Sequence, residues 1–181
     1  MKAKDNTVYR EVQRPRQLWA WAPILVCTGI MWYWFIVQII YGVPFGNNPA
    51  SDGFTIVFWV IFGVIFPVVI LGFLKLTTEV HNDGIHIRLS PFHFRYRQFL
   101  FKDIYEYKSI TYSPIKQFGG FGIRINMKGE TAYNMNGKKG IELKLKYETV
   151  VIGTQNPDEF KDALDVVCNK KQRESTTEGG T

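Results

Sequence analysis

Two apolar stretches, residues 18–41 and 54–76, dominate the front of this chain, and neither carries a charge before Lys75. A helix needs about 20 apolar residues to cross a bilayer, so each stretch is long enough. The first is longer than the roughly 7–15 residues of a signal-peptide core, and no small-x-small cleavage site follows it. A second span close behind it argues for a helical hairpin rather than a cleaved leader. Trp19, Trp21 and Tyr41 mark the two ends of the first stretch and read as anchors at the bilayer interface.

The basic residues orient the hairpin. Lys2, Lys4, Arg10, Arg14 and Arg16 precede it, Lys75, Arg88, Arg95 and Arg97 follow its second stretch, and the connector 42–53 has no Lys or Arg and a single acid, Asp52. The positive-inside rule then predicts a multi-pass protein of the cell (inner) membrane, with both termini cytoplasmic and the connector outside. Pro67 interrupts the second stretch and predicts a kink, while Gly29, Gly63 and Gly72 offer close-approach surfaces. Cys27 lies in the first span and Cys168 in a predicted cytoplasmic helix, so they cannot pair in that topology. Two unpaired thiols fit a reducing compartment.

Charge argues against nucleic acid. The formal net charge is +6, but residues 76–169 hold thirteen basic and eleven acidic side chains, an ordinary solvated balance. The head, 1–17, holds five basic and two acidic residues. That excess suits anionic headgroups, at about 1 kcal/mol per basic residue near the surface. The head is expected to be polar and loosely ordered.

After Leu76 the apolar period changes from helical to alternating. Ile85, Ile87 and Leu89 alternate with His86 and Arg88; Ile123 and Ile125 flank Arg124; Ile141, Leu143 and Leu145 alternate with Glu142, Lys144 and Lys146. Alternation predicts strands with one buried and one wet face. Asn82-Asp83-Gly84, Lys128-Gly129 and Asn136-Gly137 supply turns between them. Further strands are expected near 95–100, 104–112, 131–135 and 149–153. One helix follows: Asn156 is a good N-cap, Pro157 takes the first position, and Phe160, Ala163, Leu164 and Val167 share a face. It is expected to end near Asn169, leaving 170–181 as a disordered tail. Seven or eight antiparallel strands and a helix predict a curled barrel or sandwich over residues 77–169.

That order of elements is pleckstrin-homology-like. Thr78-Glu79-Val80 leading to Asp83-Gly84-Ile85, then Pro91-Phe92, Phe118-Gly119-Gly120-Phe121-Gly122-Ile123-Arg124, Ala132-Tyr133-Asn134, Gly140-Ile141 and Ile152-Gly153-Thr154-Gln155-Asn156-Pro157-Asp158-Glu159 carry a resemblance. Over about 78–164 the chain resembles small bacterial membrane proteins that pair a two-helix hairpin with a PH-like domain, an uncharacterised group. The resemblance implies an α+β membrane protein: an N-terminal transmembrane hairpin, then a PH-like antiparallel β-barrel or sandwich capped by a C-terminal helix. It implies no chemistry, since fold does not fix function.

The residues themselves offer no catalytic constellation. Phe118-Gly119-Gly120-Phe121-Gly122 lacks the following Lys-Ser/Thr and the helix start that a phosphate-cradling loop needs, and reads as a turn or bulge. His81, His86 and His93 match no metal-ligand spacing, and His86 is expected to be solvated. Ser90, Ser109 and Ser113 lie in no nucleophile motif, and Asp103 and Glu106 read as ordinary loop and strand acids. No cofactor, metal or enzyme activity is expected. PH-like domains that bind phosphoinositides generally use a basic first hairpin loop, whereas this one, His81-Asn82-Asp83-Gly84, contains an acid. Candidate anionic-lipid contacts are Lys2, Lys4, Arg10, Arg14, Arg16, Lys75, Arg95 and Arg97. Phe92, Phe94, Tyr96, Phe99 and Phe101 cluster around the third strand, as core or as bilayer contacts. The expected role is a membrane-anchored, noncatalytic module presenting a protein- or peptide-binding surface at the cytoplasmic face, its partners the bilayer and an unidentified protein. The alternative is a sensor or binder of anionic membrane lipid.

Overall fold

The computed structural model describes residues 7–15, 18–44, 46 and 48–178, and the side chains of 18–20 and 170–178 lie outside that description. The chain divides into two compact units, Pro15–Leu74 and the combination of Met1–Arg14 with Lys75–Thr181.

The first unit is helical. Helix α1 (Leu18–Phe35) continues into a π-helical segment, Ile36–Ile40. Ser51 caps α2 (Asp52–Phe58) by accepting from the Phe54 amide. A second π-helical segment, Trp59–Ile65, leads into α3 (Phe66–Phe73). The returning helical run therefore covers Asp52–Phe73 rather than 54–76. Its interruption is the π-helical segment, with Pro67 in the first turn of α3. Proline has no N–H for the carbonyl four residues back, that of Gly63. The Trp32 indole donates to that oxygen from the other helix at 3.1 Å. Trp32 and Phe35 also pack on Trp59, with ring centroids 5.0 and 4.1 Å away. At the tip, the buried Gln38 amide donates to Ala50 O and Asp52 Oδ1 and accepts from the Trp34 indole.

The second unit is two sheets, a short helix and a long C-terminal one. The first sheet has the order β1 (Thr7–Gln13), β2 (Lys75–His81), β3 (Gly84–Ser90), β4 (Arg97–Leu100). The second has the order β5 (Ile104–Thr111), β8 (Lys139–Leu145), β9 (Thr149–Gly153), β7 (Thr131–Asn134), β6 (Gly122–Ile125), with β7 and β9 parallel. The strands do not close into a barrel. Two separate sheets share a core of Leu76, Val80, Ile85, Ile87 and Phe99 with Tyr133, Ile141, Leu143, Val150 and Ile152, all buried. Helix α5 (Pro157–Glu178) adds Phe160, Leu164 and Val167. A short helix, α4 (Pro114–Phe118), ends on Gly119 at φ 72°, so the glycine run is a helix C-cap followed by a strand.

Three expectations need correction. Within the head, Thr7–Gln13 is not loose but forms β1, paired antiparallel to β2 from Thr7↔His81 to Gln13↔Leu76, and residues 1–6, 16 and 17 lie outside the described residues. The helical hairpin is thus an insertion between two neighbouring strands. α5 does not stop near Asn169 but runs on to Glu178, and the expected tail is helical as far as it is described. Once the packed turns of α5 have nucleated the helix, each added residue gains a backbone hydrogen bond, so the helix can run on past its packed face.

β1 was hidden because its pattern is inverted. Tyr9, Glu11 and Gln13 point inward, and Val8, Arg10 and Val12 outward. Tyr9 stacks on Phe160 at 5.1 Å. The Glu11 carboxylate accepts from Tyr9 and Thr154 hydroxyls on Oε2 (2.8 and 2.6 Å) and from Gln13 Nε2 and the Gln155 amide on Oε1 (3.1 and 2.8 Å). Gln13 also donates to Gly153 O at 2.7 Å. A buried carboxylate with every lone-pair direction occupied becomes a joint between β1, the end of β9 and the start of α5.

Candidate functional site

β4 is the last strand of the first sheet. It pairs with β3 from Gly84↔Leu100 to Ile87↔Arg97, and no described strand lies on its other side. Gly84 permits the close approach, since a Cβ there would sit 2.3 Å from the Phe99 carbonyl oxygen. The unpaired side of β4 lines a groove of about 590 Å³ whose opposite wall is the β8–β9 turn, Leu145 to Glu148. Leu100, Leu145 and Tyr147 give it apolar patches, and Arg97, Gln98, Asp103, Lys146 and Glu148 make the rest of its lining polar or charged. Arg97 closes one end: its guanidinium pairs with Glu148 at 3.0 Å and lies over the rings of Phe99 and Tyr133, 5.4 and 5.8 Å from their centroids. Burial pushes the Tyr133 phenol up from its ordinary value, with Arg97 pulling the other way. The groove has the size of a ligand site and a free strand edge along one side, a combination suited to an extended segment.

The outer face of the same sheet carries a polar cluster centred on Glu79. Its Oε1 accepts from Arg10 Nε (3.2 Å) and the Tyr96 hydroxyl (3.1 Å), and its Oε2 pairs with His81 Nε2 (3.0 Å). The His81 ring packs against His86 at 4.4 Å, and His86 pairs with Asp83 at 3.1 Å. Arg88 lies over Tyr96, 4.7 Å from the ring centre. Burial, and then Glu79, push the Tyr96 phenol upward. His86 faces outward as its alternation predicts, yet its side chain is only 12% exposed, so the expectation of a solvated histidine is corrected. The cause is cross-strand pairing: Arg10↔Glu79 and Glu79↔His86 are direct neighbours, so the wet face packs on itself. Every member has a partner, and the cluster ties β1, β2, β3 and the β3–β4 loop together. Among the described residues no group of three or more His, Cys, Asp or Glu is placed to hold a metal ion.

The candidate lipid-contact residues separate into two sets. Arg10 and Arg97 are held in ion pairs with Glu79 and Glu148. Arg14 and Arg95 are exposed, and Lys75 is half-buried. Register brings this second set to one end of the first sheet, because Gln13 pairs with Leu76 and Lys75 with Ser90, the residue that opens the β3–β4 loop. Lys2, Lys4 and Arg16 lie outside the described residues, as does the Trp19 side chain. Trp21 is half-buried in α1, and Tyr41 is 73% exposed at the end of the first helical run. The β4 groove itself had no sequence signal beyond the short strand expected at 95–100, because it depends on which strands pair.

Fold and site together define an α+β protein in which an apolar helical hairpin is inserted into a two-sheet domain, with β4 among the open strand edges of the described residues. The chain belongs to the DUF6141 family, a family of unknown function, whose profile matches residues 1–169. That match spans β1, the hairpin, both sheets and the core-packed part of α5. No curated protein and no solved structure matches the chain.

Proposed function

We propose that this protein is a membrane-anchored, noncatalytic module whose cytoplasmic two-sheet domain binds an extended segment of a protein partner along the open edge of β4. The observation that carries the reading is the unpaired β4 edge lining a groove of about 590 Å³ whose walls mix apolar and charged side chains. Backbone hydrogen bonds to β4 would supply affinity, and Leu100 and Leu145 would select apolar side chains.

Anchoring rests on the hairpin. Trp21–Ile40 and Asp52–Phe73 are long and apolar enough to span a bilayer, and Leu25, Val26, Ile30, Val68 and Phe73 are each more than half exposed. So much bare apolar surface suits lipid far better than water. Pairing of Gln13 with Leu76 supports an even number of crossings, since the chain leaves and rejoins the sheet at neighbouring positions. The basic flanks support the cytoplasmic side of a cell (inner) membrane for the domain. The two-sheet, one-helix order supports the reading of a PH-like domain of bacterial type.

A photo-crosslinking amino acid at Gln98, exposed in β4, tests the peptide reading in native membranes, with Lys138 as a distant control. Crosslinks from Gln98 to one extended segment of one protein, unchanged at high salt, are expected. Crosslinks to lipid alone would sink it. The second reading, binding of anionic lipid, is favoured by the convergence of Arg14, Lys75 and Arg95 at one end of the sheet, and would fall steeply with ionic strength.

A further inference from the structure

Among the described residues, the β3–β4 loop leaves two large aromatic side chains bare. Phe94 is 93% exposed and Phe92 is 62% exposed, although both stand in a domain with a well-filled core. The loop is nevertheless pinned on each side. The His93 amide donates to Leu89 O at 2.7 Å, closing the turn at its start. At its far end Tyr96 is held by Glu79 and Arg88 on the sheet's outer face. Pinned ends with a bare aromatic tip describe a projecting wedge rather than a frayed segment.

What covers the tip follows from register. Ser90 pairs with Lys75, and Lys75 is two residues beyond Phe73, where the apolar helix ends. Two residues of chain span at most about 7 Å, and paired strands bring Cα atoms to about 5 Å. Chain connectivity and strand pairing alone therefore tether the root of the loop within about 12 Å of the end of the apolar run. Arg95, exposed beside Phe94, and Lys75 add positive charge at the same sheet end. Aromatic and basic side chains presented together suit the bilayer interface. The exposed Met127, on the β6–β7 turn, shows the contrast. β7 starts beside that turn, and Asn136, just past its other end, donates to the Arg14 carbonyl. Met127 therefore stands at the end of β7 away from the hairpin junction.

We infer that the Pro91–Tyr96 loop inserts Phe92 and Phe94 into the interfacial layer of the bilayer that holds the hairpin, fixing the domain against the membrane at a second point. This rests on the reading of the hairpin as membrane-spanning.

The test uses the full chain with Cys27→Ser and Cys168→Ser, reconstituted in vesicles of phosphatidylcholine and phosphatidylglycerol. Single cysteines at Phe92, Phe94, Met127 and Ile30 carry an environment-sensitive fluorophore, read by quenching with lipids labelled at headgroup and mid-chain depth. Probes at 92 and 94 are expected to be quenched by the headgroup label at least threefold more than the probe at 127, with 30 quenched by the mid-chain label. If 30 is quenched and 92 and 94 match 127, the loop inference is overturned while the hairpin reading stands. If 30 is not quenched either, the membrane reading falls and takes the inference with it.

Discussion

Glu11 offers the sharpest test of how the N-terminal strand is held. Its carboxylate is 8% exposed and accepts four hydrogen bonds, two of them from the side chains of Gln13 and Thr154, each 1% exposed. Replacing Glu11 by Ala removes the acceptor of those two buried donors. An unsatisfied buried donor costs about 1–3 kcal/mol. Gln13 keeps Gly153 O as an acceptor, so the total is set at about 2–4 kcal/mol. β1 pairs on one side only, which confines the loss to that strand. Converted at 1.36 kcal/mol per decade, the β1–β2 amides should exchange about 30- to 1000-fold faster in Glu11→Ala. Glu11→Gln retains one carbonyl oxygen and should cost about 1 kcal/mol. Hydrogen exchange by mass spectrometry on the full chain in detergent reads both. Unchanged exchange at residues 7–13 in both variants would show that the β1–β2 ladder alone holds the strand.

Three further outcomes follow from other parts of the molecule. Gly84→Ala would place a Cβ against the Phe99 carbonyl; it should destabilise the domain by about 1–3 kcal/mol and abolish crosslinking from Gln98, whereas a stable, crosslinking variant would refute the close approach. Trp32→Phe removes the donor to Gly63 O and should lower hairpin stability by about 1 kcal/mol, the usual scale for such bonds within membranes, read as earlier unfolding in a detergent titration followed by circular dichroism. Burial raises the phenols of Tyr9, Tyr107 and Tyr112, the last to about 12. Unfolded tyrosines ionise near 10, so stability is whole below about pH 10 and is lost as pH rises toward 12. Absorbance at 295 nm should show these groups ionising together with the loss of circular dichroism, and all nine tyrosines of the chain titrating near 10 in a folded protein would refute it.

Local pattern carried much of this architecture. Uncharged runs specify helices, and strict alternation at Ile85–Leu89 and Ile141–Leu145 specifies strands whose faces the structure keeps. Asn156 and Pro157 open α5 where capping chemistry places the start. These are short-range effects, written in neighbouring residues. β1 shows where that legibility stops. Its inward residues are Tyr9, Glu11 and Gln13, which are buried only because Phe160, Thr154 and Gly153 arrive from the other end of the chain to meet them. The outer-face cluster around Glu79 and the open edge of β4 depend in the same way on cross-strand register. So does the gathering of Arg14, Lys75 and Arg95 at one end of the sheet. Sequence by itself determined which segments are apolar and with what period, because that is a property of adjacent side chains. Tertiary structure alone decided which polar groups are buried and which strand edges stay free, because both depend on partners brought together from distant parts of the chain.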